Sequence, residues 1–175
     1  MIDLFSFSIS AIPSTLAELW NFILGNPILC GILFASYFLH YAYQFINYKA
    51  ADSEVYEIDL LSSGISTIMI AFLLIGLDES AKVFNFSNID LGTTTTLVAV
   101  VLFIYALLLI LFAFVKILPR FLVILLGNSE VDLLINFVAI LMIDPEITIT
   151  GTTLLVIAVP LLTLLLIQRL RRLMP

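Results

Sequence analysis

The residues best suited to chemistry in this sequence form a polar stripe within an otherwise apolar stretch. Asn128, Asp132, Asn136 and Ala139 follow one another at helical spacing, so they share one face of a helix. Ionisable side chains inside membrane spans are costly, and they usually mark ion pathways or proton relays. One interpretation is a narrow cation or proton path in a homo-oligomer, with Glu130 and Asp132 as a ring at its mouth. In the other, Asp132 caps the helix and Asn136 hydrogen-bonds to a neighbouring helix.

Side chains for metal binding or nucleophilic catalysis are scarce. The chain has a single histidine, His40, and a single cysteine, Cys30, and it contains neither a glycine-rich phosphate loop nor an HExxH motif. His40 shares a helix face with Gln44 and Asn47 in a stretch crowded with aromatic residues. It is interpreted either as part of an aromatic belt at the membrane interface or as a titrating group. The sequence therefore predicts no enzyme, no metal and no cofactor.

A second face combines small and hydroxylated residues. Ser63, Gly64 and Thr67 lie in one apolar run, and Ser63 and Thr67 have the small-xxx-small spacing. Small residues let helix backbones approach closely in a membrane, where lipid removes the hydrophobic drive for association. This face predicts helix packing, within the chain or against a partner, and a hydroxyl-lined pore is the alternative.

The composition places these residues in a membrane protein. Hydrophobic residues make up 62% of the 175 and charged residues only 11%, with a mean hydropathy of +1.21, whereas soluble domains carry about 25% charge. The net charge of −6 argues against a nucleic-acid partner, which requires a basic face. The expected environment is the lipid bilayer.

The predicted fold is an all-α polytopic bundle with four to five transmembrane helices. Residues 1–27 are assigned to an N-terminal interfacial segment with an amphipathic helix, and residues 28–175 to the bundle. Apolar runs near the length of about 20 residues needed to cross a bilayer predict the spans, which lie at 28–46, 60–77, 94–117, 130–143 and 152–168. The run at 130–143 is either a short span or re-entrant.

The region 119–143 has two interpretations. A single spanning helix would bury Glu130 and Asp132 near the middle of the bilayer, at a cost of about 2.5–3.5 kcal/mol for the aspartate. Alternatively, one helix ends at Gly127 and Ser129 caps the next, which places both acids in a first turn where the helix dipole favours them. The second interpretation is preferred because it leaves no charge buried.

The amphipathic helix is predicted to start with a capping box formed by Thr15 and Glu18 after Pro13. One apolar face is expected to hold Leu16, Leu19, Trp20, Ile23 and Leu24. The predicted anchors at the membrane interfaces are Trp20, Tyr41, Tyr48, Arg169, Arg171 and Arg172.

The positive charges predict an orientation. With five crossings and a cytoplasmic C-terminus, six of the seven Lys and Arg residues lie inside and only Lys82 lies outside. The expected topology therefore has the N-terminus outside and the C-terminus in the cytoplasm.

Three functions are compatible with these features. The first is a small non-catalytic subunit that supports a larger membrane complex, in line with the short connections and small-residue faces. The second is the homo-oligomeric ion or proton channel described above. The third is a membrane sensor that signals to a soluble partner, as in stress or phage defence. The expected partners are copies of the same chain or other membrane subunits.

Overall fold

The computed structural model describes residues 2–3, 5–50, 55–84, 93–144 and 147–173, and these ranges are almost wholly helical. The seven α-helices are α1 (Ile12–Gly25), α2 (Pro27–Ala50), α3 (Val55–Phe84), α4 (Thr93–Val115), α5 (Arg120–Leu126), α6 (Ser129–Leu141) and α7 (Gly151–Leu173). A 3-10 turn precedes α1, and the two-residue strands β1 (Ile2–Asp3) and β2 (Ile149–Thr150) pair in parallel. The predicted all-helical fold is confirmed.

Within the described ranges, three helices are long and apolar enough to cross a membrane. The spanning segments are Pro27–Ile46 in α2, Ile58–Gly76 in α3 and Thr94–Val115 in α4, close to three of the predicted spans. The other two predicted spans, at 130–143 and 152–168, fall on α6 and α7, which do not meet this criterion within the described ranges. Helix α6 has 13 residues, or about 20 Å at 1.5 Å per residue, and α7 contributes the apolar segment Gly151–Thr163.

The backbones of α3 and α4 approach closely at Gly64. A Cβ atom at this position would lie 2.6 Å from Ile110 Cγ1 and 3.2 Å from the carbonyl oxygen of Ala106. Association of helices in lipid depends on this kind of close packing. Ser63 and Thr67, which were assigned to the same packing face, are fully buried, and their hydroxyl groups bond to the α5 C-terminus and to α6.

The core contains two apolar clusters with a polar layer between them along α3. The smaller cluster joins α3, α4 and α5 and contains Leu60, Leu109, Ala113 and Val123. The larger cluster includes Ile70, Ala71 and Leu74 of α3, together with residues of the other long helices. Between Leu60 and Ile70, α3 buries four hydroxyl side chains: Ser62, Ser63, Ser66 and Thr67. Because buried polar groups need hydrogen-bond partners, this layer locates the candidate site.

The predicted helix break at Gly127 is present. A Cβ at Gly127 would lie 2.9 Å from the carbonyl carbon of Asp59 in α3, so this junction requires glycine for close approach. The prediction that Ser129 caps α6 is wrong. Asn128 is the cap, because its side-chain oxygen accepts a hydrogen bond of 3.0 Å from the Glu130 N–H, whereas the Ser129 hydroxyl donates to Glu130 Oε2.

Replacing Asn128 by alanine is expected to lower the free energy of unfolding by about 1 kcal/mol, because the Glu130 N–H loses its acceptor. Asn128→Asp keeps an acceptor in place and should be close to the wild type. Unfolding in mild detergent measures both variants, and an equal loss in the two would contradict the capping role.

Helix α1 begins earlier than predicted. It starts at Ile12, and Pro13 occupies the first turn, where the missing N–H costs no helical hydrogen bond. The predicted capping box of Thr15 and Glu18 is therefore wrong. Thr15 lies inside the helix and is buried, and Ala11 at the cap makes no side-chain hydrogen bond.

Only part of the apolar face predicted for α1 is buried against the bundle. Leu19 and Phe22 are buried in the larger cluster. Leu16, Trp20 and Leu24 are exposed on the surface of the chain. The helix therefore packs against the bundle with one set of apolar residues and presents a second set outward.

Candidate functional site

Three helices meet around a buried histidine and aspartate. Helix α2 contributes His40, α3 contributes Ser62 and α6 contributes Asp132, and each is at most 2% exposed. His40 Nδ1 lies 2.9 Å from Asp132 Oδ2, and His40 Nε2 lies 3.2 Å from Ser62 Oγ. Both ring nitrogens of the only histidine in the chain therefore have a hydrogen-bond partner. We refer to His40 and Asp132 as the His40–Asp132 pair.

The Asp132 carboxylate has polar neighbours on both oxygens. Oδ1 accepts hydrogen bonds from Thr67 Oγ1 at 3.0 Å and from Asn136 Nδ2 at 3.1 Å. Oδ2 lies 2.6 Å from the Ser66 hydroxyl and also faces His40. A carboxylate removed from water is tolerated only where such partners replace its hydration. The polar face of α6 and the hydroxyl layer of α3 together supply them.

Ser62 allows the His40 ring to be hydrogen-bonded in either protonation state. Its hydroxyl has one proton and lies 2.7 Å from the carbonyl oxygen of Asp59 and 3.2 Å from His40 Nε2. When the ring is neutral and protonated at Nδ1, Ser62 donates to Nε2. When the ring is charged, Nε2–H donates to Ser62 Oγ and the hydroxyl turns to the Asp59 carbonyl. Both ring nitrogens therefore have a hydrogen-bond partner in either arrangement of the Ser62 hydroxyl.

One end of the site is lined by polar contacts among α2, α3 and the α5–α6 junction. Gln44 Nε2 donates to Asp59 Oδ1 at 3.0 Å and to the Gly127 carbonyl oxygen at 3.1 Å. The Ser63 hydroxyl donates to the Leu126 carbonyl oxygen at 2.9 Å. Gln44 and Asp59 are half-buried, so this end of the cluster lies nearest the surface of the bundle.

Glu130 is also buried, at 2% exposure. Its Oε2 accepts a hydrogen bond from Ser129, and Tyr37 of α2 lies within electrostatic reach. Within the described ranges, buried polar atoms that lack a hydrogen-bond partner are Glu130 Oε1, Asn136 Oδ1 and the hydroxyl groups of Tyr105 and Thr95.

The burial of Glu130 and Asp132 corrects the expectation that a capped α6 leaves no charge buried. The cap is present, but the first turn of α6 is inserted beside α2 and α3 instead of lying at a water-facing surface. The cost of burial is offset at Asp132 by its hydrogen-bond partners.

The residues predicted for an ion pathway do not all come together. Asp132 and Asn136 bond to each other and to Thr67. Glu130 lies two residues before Asp132, about 200° away around the helix, and it belongs to the surroundings of Tyr37.

Of the predicted interface anchors, Trp20 is 61% and Tyr41 is 45% exposed. The side chains of the other four anchors lie outside the part of the chain that the structure describes: Tyr48, Arg169, Arg171 and Arg172.

The contacts that join Asp132 to His40 and Ser66, and His40 to Ser62, are not predicted by the sequence. His40 and Asp132 are separated by 92 positions, and only the packing of α2 against α6 brings them together. One signal was present: Ser62 and Ser66 are four residues apart in an otherwise apolar run, as Ser63 and Thr67 are. Such spacing places hydroxyl groups on the same part of a helix surface.

The hydrogen bonds run in the order Ser62–His40–Asp132, which is also the order in a serine hydrolase triad. Two observations weigh against that chemistry. Ser62 is fully buried, and its hydroxyl can donate to the carbonyl oxygen one turn earlier in its own helix. A reactive serine needs substrate access and donors for an oxyanion, and the Ser62 side chain is enclosed by the surrounding helices.

Groups of three or more His, Cys, Asp or Glu side chains placed to hold a metal ion do not occur within the described ranges. The chain matches no protein-family model, and no curated protein or solved structure is significantly similar to it.

Proposed function

We propose that the protein is a non-catalytic integral membrane subunit that binds and releases one proton at the His40–Asp132 pair. The observation that carries this proposal is the enclosed His40 ring, hydrogen-bonded to Asp132 and to a Ser62 hydroxyl that can serve either protonation state. Histidine is the side chain whose ordinary pKa lies nearest to physiological pH.

The position of the pair in the bundle supports proton binding. His40 lies six residues before the end of the span Pro27–Ile46, and Ser62 lies four residues after the start of Ile58–Gly76. At 1.5 Å per residue these side chains are about 6–9 Å inside the ends of their spans. Ionisable groups inside a membrane are costly, and they are a default indication of a proton or ion pathway.

The homo-oligomeric channel predicted from the sequence is less well supported by this geometry. In such a channel the Asp132 side chains of all protomers would form a ring around a shared axis. Both Asp132 oxygens instead have partners in the same chain. A proton path that uses Asp132 would instead run inside one protomer, among α2, α3 and α6.

The subunit role is the second part of the proposal, and the short connections between the helices support it. In this proposal a partner polypeptide carries out the work that the proton drives. Native mass spectrometry after gentle purification from the host tests this part. A different polypeptide at fixed stoichiometry would support it, whereas a homo-oligomer alone would contradict it and favour the channel.

We further propose that the membrane face nearest Asp59 is cytoplasmic. Helix α2 ends, α3 begins and α4 ends at this face, and Lys49, Lys116 and Arg120 lie in or beside these ends, as the positive-inside rule favours. The N-terminal segment meets the start of α7, where the Ser8 N–H donates to Thr152 Oγ1. A crossing by α7 then gives the topology with the N-terminus outside and the C-terminus inside.

Proton counting tests the binding site. Wild-type protein and the His40→Gln variant in nanodiscs are titrated from about pH 10 to pH 4, a range that covers ordinary and strongly shifted histidines. We expect the wild type to take up about one proton more per chain than His40→Gln. Equal uptake over the whole range would show that the pair only joins helices and would overturn the proposal.

A further inference from the structure

We infer that the proton reaches His40 from one membrane face only, the face of Asp59, and that the Ser62 hydroxyl is the group that passes it on. This inference rests on the proposed proton binding at the His40–Asp132 pair. It specifies the membrane face from which the proton arrives. It also assigns to Ser62 the transfer of the proton to His40.

The path from the Asp59 face is short and polar. The Asp59 and Gln44 side chains are half-buried and hydrogen-bonded to each other. One turn into α3, Ser62 Oγ contacts both the Asp59 carbonyl oxygen and His40 Nε2. Only about 6 Å of helix separates Ser62 from the start of its span, so water at the Asp59 end needs to move one turn inward to meet the hydroxyl.

The opposite direction is closed by an apolar layer. Beyond Thr67 on α3, the next inward-facing residues are Ile70, Ala71 and Leu74, and each is fully buried. They pack in one cluster with buried residues of α2, α4 and α6: Leu29, Leu33, Leu102 and Ile140. An apolar layer of this kind offers a proton no hydrogen-bonding group.

One buried hydroxyl group does lie on α2 beside this layer, but it does not extend the path. The Ser36 hydroxyl donates to the Leu33 carbonyl oxygen at 2.8 Å, within its own helix. Ser36 therefore provides a matched position for substitution: a buried serine, like Ser62, on the far side of His40.

The transfer step is balanced in protons. A hydronium ion at the Asp59 end gives one proton to Ser62 Oγ and leaves as water. The original Ser62 O–H bond breaks as the His40 Nε2–H bond forms, so Ser62 keeps one proton. The new hydroxyl proton then points to the Asp59 carbonyl oxygen, which is the arrangement that fits a charged ring. Release follows the same steps in reverse.

The titratable groups around His40 come from three helices. Asp132 of α6 contacts the ring directly, and Tyr105 of α4 lies within electrostatic reach of Asp132. Asp59 of α3 lies at the entry. Glu130 of α6 lies within electrostatic reach of Tyr37 of α2. Because Asp59 is the one carboxylate among these that is half-buried at the end of the polar path, it is placed to attract a proton from solution.

The experiment uses vesicles that contain the protein in one selected orientation, with the inner and outer pH set independently. The protonation of the histidine ring is read by ¹⁵N NMR, and the signal needs no assignment because the chain has one histidine. We expect the protonation state of the His40 ring to change with the pH on the Asp59 side of the membrane. It should not change with the pH on the other side. A ring that follows the opposite face, or both faces, would overturn the inference while leaving the proposed function intact. A ring that never titrates would instead refute the proposed function.

Two serine variants test the role of Ser62 in the same vesicles. Positioned groups that transfer protons contribute factors of about 10²–10⁴ to rate, so Ser62→Ala should slow proton exchange at His40 by at least about tenfold. Ser36→Ala should leave the exchange rate unchanged. If Ser62→Ala exchanges as fast as Ser36→Ala while both remain folded, Ser62 is not the relay and the inference fails.

Discussion

Replacing Asp132 by alanine is expected to lower the free energy of unfolding by about 3 kcal/mol. The change removes the acceptor for His40 Nδ1–H, Thr67 and Asn136 at once, within a fully buried layer. Removing one member of a buried ion pair typically costs about 3–5 kcal/mol, because the remaining partner stays buried and unpaired. Hydrogen bonds between membrane helices are individually weaker than this, so the lower end of the range is expected.

The matched control is Glu18→Ala, which removes an exposed carboxylate from α1. Its effect should stay within about 0.5 kcal/mol. Both variants can be unfolded reversibly in bicelles, and the cycle with His40→Ala then isolates the pair. We expect the double variant to lose about 2 kcal/mol less free energy of unfolding than the sum of the losses in the two single variants. Additive losses, or a loss for Asp132→Ala as small as that for Glu18→Ala, would show that the pair carries no coupling.

Replacing Gly127 by alanine is expected to cost about 3 kcal/mol, at the upper end of the range for overpacking. The new methyl group would meet the Asp59 side chain and would lie 2.9 Å from both the Asp59 carbonyl carbon and the Val123 carbonyl oxygen. Backbone atoms cannot move aside as a flexible side chain can. The α5–α6 junction would therefore separate from α3, and the Gln44 hydrogen bond to the Gly127 carbonyl oxygen would be strained.

Gly31→Ala and Gly76→Ala serve as controls for this variant. A Cβ at either position would have no atom within 4 Å, and alanine favours a helix over glycine by up to about 1 kcal/mol. These two variants should match or exceed the stability of the wild type in the same unfolding assay. A Gly127→Ala protein as stable as the two controls would contradict the close approach of α3 and the α5–α6 junction.

The long apolar helices could be predicted because their signal is local. Uninterrupted apolar runs locate the spans of α2, α3 and α4 to within a few residues, and the break at Gly127 follows from its turn-forming sequence. The cap was assigned one residue too late. Asn128 and Ser129 are both good caps, and only the backbone geometry, with Asn128 extended and its side chain accepting from Glu130, decides between them.

The site could be predicted only in part, because its central contact is between distant residues. The helical spacing of Asp132 and Asn136 indicated a polar face, but not that this face meets His40. The same periodicity is compatible with a pore, a cap or an internal hydrogen-bond network. The choice depends on how α2, α3 and α6 pack, which is set by close approaches such as those at Gly64 and Gly127.

The pH dependence of the single histidine resonance tests the central claim most directly. Protein labelled with ¹⁵N in its histidine ring is placed in bilayers and examined by NMR between about pH 4 and pH 10. We expect a neutral ring protonated at Nδ1, where it faces Asp132, at high pH, and a reversible gain of the second proton at Nε2, where it faces Ser62, at low pH. A ring that keeps one protonation state across the range would rule out proton binding at His40 and would leave the His40–Asp132 pair as a structural contact between helices.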